Sequence, residues 1–82
     1  MSEELFCGVD VCASATKLVL VDEEQETMVR VVEPSGIDYE ATARACLNSA
    51  LAGIGADMAQ VRCTVSTGYG RRNVDFADQA LT

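Results

Sequence analysis

The chain has 82 residues, with 13 acidic side chains against 6 basic ones and a formal net charge of −7. A chain this short has room for one small domain, and its negative field disfavours binding to nucleic acid or to anionic membranes. It contains no histidine, which excludes Ser-His-Asp catalysis, Cys-His catalysis and every zinc site that uses histidine. Hydrophobic residues make up 49% and charged residues 23%, a composition that predicts a packed core.

The first part of the chain predicts three strands joined by short turns. Apolar side chains alternate over Leu5–Val11 and again over Ala15–Val21, which is followed by the acidic stretch 22–26. A third run, 27–32, stops at the turn-forming residues 33–36. Strands that follow one another so closely predict an antiparallel meander.

The middle of the chain predicts one helix. Apolar residues take helical spacing over 38–53, and either Ser35 or Asp38 offers a capping oxygen at its start. Glu40 and Arg44 have the spacing of an ion pair on its outer side.

The last part predicts a fourth strand and a short second helix. Apolar residues alternate over 61–66, the glycine-bearing loop 67–72 follows, and 74–81 reads as a short amphipathic helix. With the first helix as a right-handed crossover, the fourth strand lies parallel to the first. The predicted fold is therefore α/β, a mixed sheet in the order β-β-β-α-β with antiparallel strands 1–3.

Two segments far apart in the sequence are expected to meet at one edge of this sheet. Strands 1 and 4 end at the same edge, and ligands of open α/β sheets bind beyond the carboxyl ends of such strands. Asp10, the small-residue turn 12–16 and the loop 67–72 then flank one site. Asp10 would either bind magnesium, through water, or cap the turn, and the turn is either an anion cradle or a simple hairpin. Lys17 would either add a donor or point to solvent.

The four cysteines contain no C-x-x-C unit, and the chain has no secretory signal. Reduced thiols in a cytoplasmic protein are therefore expected. Cys7, Cys46 and Cys63 are predicted to be small buried residues. Cys12 lies in the turn, where a lowered pKa and a redox role are an alternative.

The residues at the expected site resemble a known ATPase superfamily. The stretch GVDVCASATKLVL at 8–20 is similar to the first phosphate motif of the actin-like, sugar-kinase and heat-shock-chaperone ATPases, whose lobes have ribonuclease H-like folds. The segment STGYGR at 66–71 resembles a loop of the ATPases that activate 2-hydroxyacyl-CoA dehydratases or form a subunit of benzoyl-CoA reductase. The resemblance implies that residues 1–82 are the N-terminal part of an actin-like ATPase lobe, which is incomplete.

The resemblance also implies an activity. Members of this family are homodimers that bind Mg-ATP between two lobes, carry an iron-sulfur cluster at the dimer interface and pass a low-potential electron to a dehydratase or reductase. The implied nucleotide-binding residues are Asp10, Cys12, Ala13, Ser14, Thr16, Lys17, Thr67 and Gly68. Asp10 would approach the magnesium through water, while Arg71 and Arg72 would face either the nucleotide or a partner. No residue is assigned a catalytic role, and none of the four cysteines is implied as a cluster ligand.

Two departures from the family pattern weaken the expected nucleotide binding. Cys12 stands where the family has glycine, and Ala13 stands where a hydroxyl residue is usual. The family's remaining motifs are not found in these 82 residues, so the chain alone is expected to be inactive. Two alternatives stay open: a non-enzymatic interaction module that associates through an open sheet edge, and a fragment of another kinase of the superfamily.

Overall fold

The computed structural model describes residues 4–81. Five strands form one sheet: β1 (Leu5–Val11), β2 (Ala15–Val21), β3 (Thr27–Pro34), β4 (Val61–Thr67) and β5 (Gln79–Ala80). The helix α1 (Tyr39–Ile54) connects β3 to β4, and 3₁₀ turns cover Met58–Gln60 and Arg71–Asn73.

The strand order in the sheet is β3-β2-β1-β4-β5. The pairs β1–β2 and β2–β3 are antiparallel, whereas β4 runs parallel to β1 and β5 runs parallel to β4. The predicted α/β mixed sheet is therefore confirmed, including the parallel alignment of β1 and β4 through the α1 crossover. The β3 strand is two residues longer than the alternation indicated, because Pro34 and Glu33 still pair with β2.

The limits of α1 follow from its caps. Asp38, and not Ser35, supplies the N-cap, since its carboxylate accepts a 3.0 Å hydrogen bond from the amide of Ala41. At the other end Gly55 takes the left-handed conformation (φ 64°), which glycine adopts without steric cost. The helix consequently ends at Ile54.

The core lies between α1 and one face of the sheet. Its buried apolar residues are Leu5, Cys7, Val9, Val11, Leu18, Leu20, Ala43, Cys46, Leu47, Ala50, Leu51 and Val74. The other face, called here the open face, includes the alternate residues Phe6, Gly8 and Asp10 of β1, which are only half-buried. Within residues 4–81, β1 is therefore fully buried on its core side only.

The prediction of a helix over 74–81 is wrong. The amide of Asp78 donates to the Thr64 carbonyl at 2.8 Å, and the amide of Leu81 donates to the Ser66 carbonyl at 2.8 Å. The Asp78 carboxylate accepts in turn from the amide of Thr64 at 2.7 Å. These bonds hold the end of the segment against β4, so Gln79–Ala80 extends the sheet as β5 and the amides of Asp78 and Leu81 are not available to a helix.

Two smaller predictions also change. Arg44 pairs with Asp75, and not with Glu40, and its guanidinium lies 5.5 Å from the ring centroid of Phe76. All four cysteines are free thiols, and Cys63 is only partly buried because it lies on the open face. Within residues 4–81, no helix combines the length and apolar character needed to cross a membrane.

Candidate nucleotide-phosphate site

The carboxyl ends of β1 and β4 lie side by side. Asp10 is the register partner of Thr67, and the amide of Gly70 donates to the Val11 carbonyl at 2.8 Å. Gly68 has φ 93°, and a Cβ placed on it would lie 2.5 Å from Asp10 Oδ1 and 2.5 Å from the Val11 oxygen. The two distant segments therefore meet as expected, and their contact requires glycine at position 68.

The turn that follows β1 is a tight hairpin with exposed residues at its tip. The Cys12 amide donates to the Ala15 carbonyl at 3.0 Å and closes the turn around Ala13 and Ser14. Within residues 4–81, the amides of Ala13 and Ser14 have no protein acceptor. Cys12 does not have a positive φ, so a side chain there causes no backbone strain. The turn presents backbone donors to solvent, which an anion can use.

A buried hydroxyl pair lies underneath this turn. Thr16 and Ser35 are both 0% exposed, and their hydroxyl oxygens are 2.8 Å apart. Ser35 also donates to the Cys12 carbonyl at 2.6 Å. Thr16, assigned to the phosphate turn from the sequence, thus supports the turn from below. Sequence reasoning missed Ser35 as a site residue, because it lies 19 positions from Thr16 and resembles a helix cap.

The Cys12 thiol donates to Asp10 Oδ1 at 3.3 Å. This hydrogen bond raises the pKa of Cys12, with smaller contributions from desolvation and from the negative charge of Asp10, while Lys17 acts in the opposite direction. A reactive cysteine needs a lowered pKa. The raised pKa therefore disfavours the redox alternative for Cys12.

Asp10 borders a shallow hollow of about 240 Å³ on the open face. Its lining is Gly8, Val9, Asp10, Lys17, Val19, Val65, Thr67 and Leu81. Lys17 is the register partner of Asp10 on β2 and is exposed. The hollow thus has a polar end at the tips of the strands and apolar walls below it. A second hollow, of about 440 Å³ between β3 and α1, contains Glu33 and none of the expected site residues.

Arg71 and Arg72 differ in their surroundings. The Arg71 guanidinium donates to the Gly68 carbonyl at 3.0 Å, and its backbone carbonyl accepts from Ser66 Oγ at 2.8 Å. Arg71 therefore stabilises the conformation of the loop through both its side chain and its backbone. Arg72 is exposed, as is Tyr69, which leaves both side chains available for contacts outside the chain.

Comparison with protein-family models found no match, and comparison with curated proteins found none. Among solved structures, the activator of 2-hydroxyisocaproyl-CoA dehydratase from Clostridium difficile, with bound ADPNP, has a TM-score of 0.82 and 25% identity, over 94% of this chain and 28% of that one. Component A of (R)-2-hydroxyglutaryl-CoA dehydratase from Acidaminococcus fermentans has a TM-score of 0.83 and 23% identity, over 95% and 30%. The resemblance to actin-like dehydratase activators is confirmed.

The chain spans less than a third of the length of these two proteins. A protein described as a 2-dehydro-3-deoxygalactonokinase from Sinorhizobium meliloti matches with a TM-score of 0.57 and 20% identity, over 79% of this chain and 21% of that one. Because both are under 25% identical, the likenesses to component A and to this third protein extend to the fold alone.

The side chains at this edge of the sheet suit a magnesium ion that is bound together with a nucleotide. No three His, Cys, Asp or Glu side chains of residues 4–81 form a group that could hold a metal ion, and Asp10 is the carboxylate at this edge. Magnesium commonly takes one or two carboxylates together with waters and phosphate oxygens. An iron-sulfur cluster does not fit, since Cys7 and Cys46 are enclosed in the core and the other two thiols join no group of ligands.

Proposed function

We propose that this chain is the N-terminal, phosphate-binding part of an ATP-dependent activator that drives low-potential electron transfer to a 2-hydroxyacyl-CoA dehydratase or a benzoyl-CoA reductase. Similarity to a dehydratase activator with bound ADPNP, and to component A of a second dehydratase, supports the proposal. The observation that carries it is the juxtaposition of Asp10, the open turn amides and Gly68 at one edge of the sheet. Fold alone would not carry it, because one fold serves many activities.

Each residue at this edge has a distinct task in the proposal. Asp10 would hold magnesium through water, and the amides of Ala13 and Ser14 would donate to phosphate oxygens. Lys17 adds positive charge in a strongly acidic chain, while Gly68 keeps the loop close to Asp10. Bound magnesium neutralises phosphate charge.

Further residues complete the proposed site. Thr67 lines it beside Asp10, Cys12 shapes the turn and restrains the Asp10 carboxylate, and Thr16 supports the turn from below. No residue of the chain is given a catalytic role.

The chain by itself is proposed to bind nucleotide weakly and to be inactive, since it spans less than a third of the activators it resembles. The active unit would combine it with the remainder of an ATPase, as a cytoplasmic homodimer with an iron-sulfur cluster. Its partner would be a dehydratase or reductase component. The cluster has no ligand set among residues 4–81.

Titration of the ¹⁵N-labelled chain with Mg-ATP, followed by NMR, tests this function. The amide signals of Ala13, Ser14 and Gly68 should shift with a dissociation constant of ~1 mM, whereas adenosine, which lacks phosphate, should leave them unchanged. Asp10→Asn should weaken binding only when magnesium is present. Unmoved signals at all three amides would refute the phosphate role. Submicromolar affinity, or ATP hydrolysis by the chain alone, would refute the proposal that the chain by itself binds weakly and is inactive.

A non-enzymatic interaction module is the second candidate. The β3 strand is at the edge of the sheet, and its Met28 and Val32 side chains are 40% and 54% exposed. Charged Arg30 and Glu33, with Pro34 at the end, are features that discourage edge pairing, which ranks this candidate below the first. Light scattering distinguishes the two candidates. A stable dimer that the Val32→Lys substitution dissociates would favour the interaction module, and a monomer at high concentration would oppose it.

A further inference from the structure

Ser35 uses all of its polar groups at the base of the turn 12–15. Its amide donates to the Ser14 carbonyl at 3.1 Å, and its hydroxyl donates to the Cys12 carbonyl at 2.6 Å. Its own carbonyl accepts from the Thr42 hydroxyl at 2.7 Å. The residue is 0% exposed, so these bonds form away from water, where an unpaired polar group is costly.

These bonds determine which way two of the turn amides, those of Ala13 and Ala15, point. In a trans peptide unit the C=O and the N–H point in opposite directions, and residues 4–81 contain no cis peptide bond. The Cys12 carbonyl is directed down to Ser35, so the Ala13 amide is directed away from it. The same reasoning applies to the Ser14 carbonyl and the Ala15 amide.

The link to Thr42 sets the orientation of the turn relative to the core. Thr42 belongs to the first turns of α1, and its amide donates to the Asp38 carbonyl at 3.1 Å. The donors at the tip of the hairpin are thereby held by the packed helix as well as by the hairpin itself.

We infer that Ser35 is a positioning residue for phosphate binding, which holds the Cys12 and Ser14 carbonyls inward so that the Ala13 amide, one of the two proposed phosphate donors, faces the ligand. The inference rests on the proposed function and deepens it. A merely structural role would lower stability without a specific effect on affinity, whereas a positioning role changes the affinity for phosphate at equal folded fraction.

The test compares Ser35→Ala with Thr64→Val. Thr64 is 1% exposed and its hydroxyl interacts with the Cys7 thiol, far along β1 from the turn, so it controls for the loss of a buried hydroxyl. Ser35→Ala should weaken Mg-ATP binding by about three- to tenfold and should move the ligand-free amide signals of Ala13 and Ala15. Thr64→Val should keep wild-type affinity and turn signals.

A milder variant covers the case in which Ser35→Ala does not fold. Thr42→Val removes only the hydroxyl that holds the Ser35 carbonyl, and should weaken Mg-ATP binding in the same direction by a smaller factor. Unchanged affinity and unchanged turn signals in folded Ser35→Ala, or in Thr42→Val when the first is unfolded, overturn the inference. Failure of the wild-type chain to respond to Mg-ATP overturns the proposed function, and the inference with it. In that case the ligand-free signals still report whether Ser35 orients the turn.

Discussion

The amide of Gly70 donates a 2.8 Å hydrogen bond to the carbonyl of Val11, which joins the loops that follow β4 and β1. The contact also includes the start of α1. A Cβ on Gly70 would lie 2.6 Å from Val11 Cγ1 and 2.6 Å from Tyr39 Cδ2. Three segments distant in sequence thus converge on one glycine, and the position of the loop depends on its lack of a side chain.

Gly70→Ala is therefore expected to destabilise the fold. The added methyl must displace Val11 or Tyr39, at a cost of about 1–3 kcal/mol in the free energy of unfolding. Urea denaturation followed by circular dichroism measures this. Gly53→Ala is the control, because it lies inside α1 with its nearest neighbour 3.9 Å away, and should gain ~0.5–1 kcal/mol. Equal stability of Gly70→Ala and wild type would show that the contact is loose.

The substitution Gly68→Ala should lower stability more than Gly36→Ala, although both glycines have a positive φ. Gly36→Ala carries only the backbone cost of φ 66°, ~1–2 kcal/mol, since a Cβ there meets nothing within 4 Å. At Gly68 the Cβ also meets the Val11 backbone at 2.5 Å, and backbone atoms cannot rotate away. Gly68→Ala should therefore lose more stability than Gly36→Ala in the same denaturation experiment. Equal losses would mean that the φ angle, and not the close approach, requires glycine.

The juxtaposition of Asp10 and Thr67 could be predicted from the sequence. Alternating apolar residues define β1 and β4, and the handedness of the crossover then puts both strand ends at one edge. The turn that follows β1 contains small residues, which indicated donors close to that edge. These signals are local patterns combined with one topological rule.

Other features depend on contacts that local patterns do not encode. Residues 74–81 have helical spacing, but the bonds of Asp78 and Leu81 to β4 override it. Arg44 has Glu40 at the right spacing, yet Asp75 and Phe76 offer a closer ion pair and an aromatic face once the chain returns. In each of these competing interactions, the two residues are more than ten positions apart in the sequence.

The Cys7 thiol predicts an alkaline loss of stability. Burial raises the pKa of Cys7 from 9.0 to about 12, against a lowering by its hydrogen bond with Thr64. Between those values the unfolded chain has lost this proton and the folded chain retains it, so the free energy of unfolding falls as pH rises, by at most ~1.4 kcal/mol per pH unit. Stability of wild type and Cys7→Ala should therefore be measured from pH 9.0 upwards. The variant should show a shallower decline, and parallel curves would contradict the burial of this thiol.

Cys12 is expected to weaken magnesium-dependent nucleotide binding, because its thiol donates a hydrogen bond to Asp10 Oδ1 and so competes with the metal for this oxygen. Removal of the thiol should raise the Mg-ATP affinity of the chain by about two- to tenfold, the range expected for releasing one hydrogen bond. Cys12→Ala and Cys12→Gly separate two causes. Since Cys12 does not have a positive φ, glycine offers no conformational relief, and both variants should gain equally in an NMR titration. A gain confined to Cys12→Gly would instead assign the effect to the backbone, and no gain in either variant would show that the thiol and the metal do not compete.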